Sequence, residues 1–65
     1  MKPFELKIVF IDGKYIIIEN VTSYGYASDS NSWRIDKKDS EIYAFVNADQ
    51  VRLIGLASDL EDVLF

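Results

Sequence analysis

Residues 4–19, Phe4-Glu5-Leu6-Lys7-Ile8-Val9-Phe10-Ile11-Asp12-Gly13-Lys14-Tyr15-Ile16-Ile17-Ile18-Glu19, decide the fold. Phe4, Leu6, Ile8 and Phe10 alternate with Glu5, Lys7 and Val9, the two-residue period of a strand. Asp12-Gly13 is a strong hairpin signal. The three isoleucines that follow are β-branched and suit a strand better than a helix. The turn sets which side chains share a face. A two-residue turn at Asp12-Gly13 pairs Ile11 with Lys14 and Leu6 with Glu19. A three-residue turn, Ile11-Asp12-Gly13 with Gly13 left-handed in a bulge, pairs Phe10 with Lys14, Ile8 with Ile16 and Leu6 with Ile18. The second register is preferred because it keeps Glu5, Lys7 and Glu19 together on the outer face. A slip of one residue would exchange the faces of the second strand. The preferred register also places Val9, Tyr15 and Ile17 on that outer face, where a half-buried hairpin normally carries polar residues.

Working outward, Thr22, Tyr24 and Tyr26 lie on one side and Val21 and Ser23 on the other, which reads as a third strand. Gly25 permits a bend or bulge there. Residues 27–32 form a polar loop, and Trp33 and Ile35 restart the alternation. Lys37-Lys38-Asp39-Ser40 is a turn. In a further strand Ile42, Ala44 and Val46 point one way and Tyr43 and Phe45 the other. Asn47-Ala48-Asp49-Gln50 reverses the chain through a short 3₁₀ segment, and residues 51–56 form the last strand. The tail changes character. Ser58 and Glu61 match a capping box, with Asp59, Glu61 and Asp62 at the positive end of the helix dipole and Leu60, Val63 and Leu64 as an apolar stripe. The expected organisation is one small β domain over residues 1–57 and an acidic, amphipathic helical tail over residues 58–65. The fold class is all-β: a small antiparallel meander or roll of five or six strands curled toward a barrel. In strand count, and in the short turn before the last strand, it resembles the SH3-like and Sm-like barrels.

Composition narrows function. The 65 residues include no His and no Cys. Disulfides, thiolate nucleophiles and zinc–thiolate sites are therefore excluded, and the commonest general base and metal ligand are missing. Asp36, Asp39, Glu41, Asp49 and Glu61 are carboxylates, but most flank turns, where acidic residues serve the backbone. Asp29-Ser30-Asn31 begins like a calcium loop, yet Arg34 stands where glycine is needed and Ser40 where the last acidic ligand belongs. The expectation is no enzyme, no cofactor, no metal and no small-molecule substrate. No apolar run approaches the roughly 20 residues of a membrane span. With no signal-like apolar core near Pro3, the sequence reads as a soluble cytoplasmic protein.

Two binding functions remain. Tyr24, Tyr26, Trp33, Tyr43 and Phe45, with Arg34, Lys37, Lys38 and Arg52, contain the ingredients of a single-strand nucleic-acid surface. The charge distribution opposes this. The formal net charge is −4, no segment is clearly basic, and phosphate attraction dominates such binding. Protein association is favoured. The expected function is a non-catalytic interaction or assembly module that pairs with itself. Val9, Tyr15, Ile17, Tyr24 and Tyr26 would supply an apolar-aromatic face, and Leu60, Val63, Leu64 and Phe65 the tail contacts. The run Tyr15-Ile16-Ile17-Ile18 is itself an aggregation hazard if it lies on an open edge.

Overall fold

A computed structural model describes residues 2–38 and 44–61. The first hairpin joins β1 (Phe4–Phe10) to β2 (Tyr15–Ala27). Its register is Leu6 opposite Ile18, Ile8 opposite Ile16 and Val9 opposite Tyr15, as the three-residue turn requires. The Gly13 N–H donates to the Phe10 carbonyl at 3.0 Å and the Phe10 N–H to the Lys14 carbonyl at 2.8 Å. Gly13 takes φ +90°, which a side chain would resist. Asp12 closes the turn by accepting the Lys14 N–H at 2.9 Å.

The expected third strand is not a separate element. β2 runs unbroken for 13 residues. It changes partners along its length through two bulges. Glu19 and Asn20 together oppose Glu5, and Thr22 is the extra residue opposite the Lys37–Asp36 step. Asn20 sits at φ 60°, a region that Asn tolerates better than most residues. Each bulge shifts the alternation by one. Ile18, Val21 and Tyr24 therefore all face the core at intervals of three residues, and the expected separation of Val21 from Tyr24 onto opposite faces is corrected.

β3 (Ser32–Lys37) pairs with the second half of β2, and β4 (Ala44–Asn47) pairs with β3. A 3₁₀ turn, Ala48–Gln50, is capped by the Asn47 side chain, which accepts the Asp49 N–H at 2.8 Å. It leads into β5 (Val51–Leu56), which returns to the free side of β1. Arg52 is the extra residue of a third bulge, so Val51 and Ile54 both face the core while Leu53 faces away. The result is one five-stranded antiparallel sheet in the order β4-β3-β2-β1-β5. Strand order and the 3₁₀ turn agree with a curled meander. The sheet is open: among the described residues β4 and β5 do not pair.

Leu6, Ile8, Val21 and Ile35 are fully buried in one cluster. Phe4, Phe10, Ile18, Tyr24, Ala44, Val46, Val51 and Ile54 pack around it. A flat single sheet cannot reduce side chains to zero exposure, and no helix covers this one among the described residues. Side chains from all five strands make up or surround the cluster, and bulges such as those of β2 bend a sheet in the way this requires. Of the expected C-terminal helix only the start is described: residues 57–61 form turns, with the Leu60 N–H reaching the Leu56 carbonyl at 3.2 Å, and the rest of the tail lies outside the described residues. The expected positions of Ile42 and Tyr43 in a strand, and of Val63, Leu64 and Phe65 in the tail, lie outside the described residues. No helix among the described residues is long and apolar enough to cross a membrane.

Candidate interaction surface

The face of the sheet away from the core is built by the first hairpin and β5. One row across it is Tyr15, Val9 and Leu53; the next is Ile17, Lys7 and Gly55. Tyr15 is 58% exposed, Ile17 49% and Leu53 37%. Val9 has no exposed surface. It is a short side chain on a central strand, flanked by two longer ones, so it supports the patch from beneath and cannot touch a partner. That is a correction to its expected place in a contact face. Lys7 holds its ammonium 4.6 Å from the centre of the Tyr15 ring, a cation–π contact that keeps the ring over the strand.

The tail contributes here through Leu60. A Cβ at Gly55 would lie 3.6 Å from Leu60 Cδ1, so Leu60 rests on the backbone of β5 and buries Gly55. Beside it a shallow depression is lined by Glu5, Lys7, Ile17, Ala57, Ser58 and Glu61.

Tyr24 and Tyr26 do not join this surface. Both lie on the core face, in a chain of ring contacts that runs Phe4–Tyr24–Trp33–Tyr26. Tyr24 packs against the core. Tyr26 is 52% exposed, and its hydroxyl donates to Asn31 Oδ1 at 2.7 Å. Asn31, at φ 50°, also donates from Nδ2 to Asp49 and accepts the Ala48 N–H. The tyrosine is thus part of the joint that holds the β2–β3 turn to the 3₁₀ turn. The single face expected from Tyr15, Ile17, Tyr24 and Tyr26 is two faces.

The same geometry divides the nucleic-acid ingredients. Trp33 and Tyr26 are neighbours on one face. Arg34 follows Trp33 along β3 and points to the other, where its Nε lies 3.2 Å from Asp36 Oδ1. Asp36 also accepts from the Ser23 hydroxyl at 2.9 Å. Lys37 shares the core side but stands opposite Val21, at the far end of β3 from Trp33, and Lys38 occupies the turn beyond it. Phe45 pairs with Arg34 and is exposed on the opposite face from the aromatic chain. Asp12 and Asp49 serve turns, as their positions in the sequence imply.

Sequence reasoning missed two parts of the surface. Leu53 was hidden by the bulge at Arg52, which inverts its face. The other is an edge. β3 meets β2 only from Val21 to Ala27, so residues 15–19 have β1 on one side and, among the described residues, no strand on the other. The hazard sequence Tyr15-Ile16-Ile17-Ile18 lies along that open edge, and Tyr15, Ile16 and Ile17 are each more than 40% exposed. Comparison with protein-family models, with curated proteins and with solved structures returns no match.

Proposed function

We propose that this protein is a non-catalytic interaction and assembly module of the cytoplasm that associates with itself through the Tyr15–Ile17–Leu53 face, with the acidic tail as an adjoining contact. One observation carries the reading. Three large apolar side chains stand in solvent on one face of paired strands, at 58%, 49% and 37% exposure. Single exposed apolar residues are ordinary, but a contiguous group rimmed by charge marks an interaction site. Glu5 and Glu19 provide that rim, and Lys7 lies within the patch beside Ile17.

The test is molar mass by sedimentation across a wide concentration range, for the wild type and for Ile17→Asp. The wild type is expected to form a dimer or larger assembly. Ile17→Asp is expected to be monomeric with an unchanged circular dichroism spectrum, because Ile17 is already 49% exposed. A wild type that remains monomeric at every concentration would overturn self-association.

A further inference from the structure

We infer that the occupant of the β2 edge left open among the described residues is a second copy of the same edge, paired antiparallel about a two-fold axis that passes between the Ile17 residues of the two chains. The inference rests on the self-association proposed above and names its geometry.

Three independent constraints select this register. The first is the phase of the hydrogen bonds. The Phe10 N–H bonds to the Lys14 carbonyl, and ladder bonds alternate along an antiparallel pair. Lys14, Ile16 and Ile18 therefore turn their backbone groups toward β1. Tyr15 and Ile17 turn theirs outward, to the edge. Only a register that sets odd-numbered residues opposite odd-numbered ones can use those groups.

The second is facing. Residues directly opposite each other in an antiparallel pair share a face. Centring on Ile17 sets Ile17 against Ile17 and Tyr15 against Glu19 on the outer face, and Ile16 against Ile18 on the core face. Ile17 then meets Ile17 and Ile16 meets Ile18, while Tyr15 meets Glu19. A shift of two residues in either direction breaks this. Centring on Tyr15 or Glu19 leaves Ile17 opposite Gly13 or Val21, beyond the open stretch.

The third is charge. Glu19 of the second copy arrives opposite Tyr15, beside the Lys7 ammonium that lies over that ring at 4.6 Å. By symmetry the arrangement occurs twice. Centring on Ile16 instead sets Lys14 against Ile18 and leaves Glu19 opposite Gly13, away from Lys7. The slot also has a natural length. At Asn20 the bulge hands the edge to β3, with the Lys38 N–H on the Asn20 carbonyl at 2.9 Å, so the free stretch ends where the self-complementary stretch ends. The pairing is isologous and closes on itself, which prevents the edge from templating a fibre.

Single cysteines test the register, because the chain has none of its own. Across a hydrogen-bonded antiparallel pair the Cα atoms lie about 5.5 Å apart, within disulfide reach. Ile17→Cys should form a covalent dimer on mild oxidation. In the same register the two copies of residue 15 lie roughly 13 Å apart along the strands, beyond disulfide reach, so Tyr15→Cys should not. Ile17→Pro removes an N–H that β1 does not use, and should give a folded monomer by sedimentation and urea titration. Cross-linking of Tyr15→Cys as readily as Ile17→Cys would overturn the register. A wild type that assembles while Ile17→Cys fails to cross-link and folded Ile17→Pro still assembles would overturn edge pairing and leave self-association through the face standing. A wild type that is monomeric throughout, with no cross-linking of Ile17→Cys, would overturn both.

Discussion

Asn20 holds φ at 60° on an exposed part of β2, so replacing its side chain changes backbone strain and little else. Its carbonyl accepts the Lys38 N–H whatever the side chain. A Cβ in the left-handed region costs roughly 1–2 kcal/mol, which Asn partly escapes. Asn20→Ala should therefore lose about 1 kcal/mol. Asn20→Val, with a branched Cβ, should lose about 2 kcal/mol, and Asn20→Gly should lose nothing. For a domain of this size 1 kcal/mol lowers Tm by about 4–8 °C. Urea titration followed by Trp33 fluorescence would read the series directly. A straight strand makes the opposite prediction, since Val favours strands and Gly weakens them. An order of stability with Val above Asn, and Gly below both, would refute the bulge. With it would go the explanation of why Ile18, Val21 and Tyr24 share a face and why the free edge stops at residue 19.

Other expectations follow from the same geometry. Gly13→Ala should cost about 1–2 kcal/mol from φ alone, since no atom lies within 4 Å of the added Cβ. Gly25→Ala, also with open space around the Cβ but no positive φ, should be neutral or slightly stabilising in the same melts. Ile8→Ala, at a fully buried position, should lose about 2–5 kcal/mol, whereas Ile16→Ala across the strand pair, at 43% exposure, should lose less than half as much. Val9→Asp should unfold the domain by leaving an unpaired charge under the patch, while Leu53→Asp in the same row should stay folded; near-UV circular dichroism separates the two.

Much of the fold was legible because short-range chemistry wrote it. Gly13 is the residue that a left-handed turn position requires, and the charges of Glu5, Lys7 and Glu19 on one face chose between the two registers it allowed. The alternation of Leu6 and Ile8, the short 3₁₀ segment before the last strand and the extent of that strand are likewise local. The site was harder to read. Tyr15 and Ile17 were placed on their exposed face correctly because they lie between the turn and the first bulge, where parity holds. Tyr24, Tyr26 and Leu53 lie beyond bulges, and each extra residue inverts the side-chain pattern that follows it. Nothing in Glu19-Asn20 or Val51-Arg52-Leu53 announces an extra residue, because a bulge exists only relative to the strand opposite.

The amino-acid sequence alone determined the strand-forming segments, the first turn and the absence of thiol and imidazole chemistry, since these depend on side-chain shape, backbone preference and composition. Tertiary structure alone decided where β2 changes partner, which face each later residue occupies, that Val9 is buried while its neighbours are exposed, and that the isoleucine run borders an edge with no strand beyond it among the described residues. Those properties belong to pairs of strands. The two-residue period carries a face assignment only as far as the next bulge, and the location of that bulge is fixed by the partner strand across the sheet.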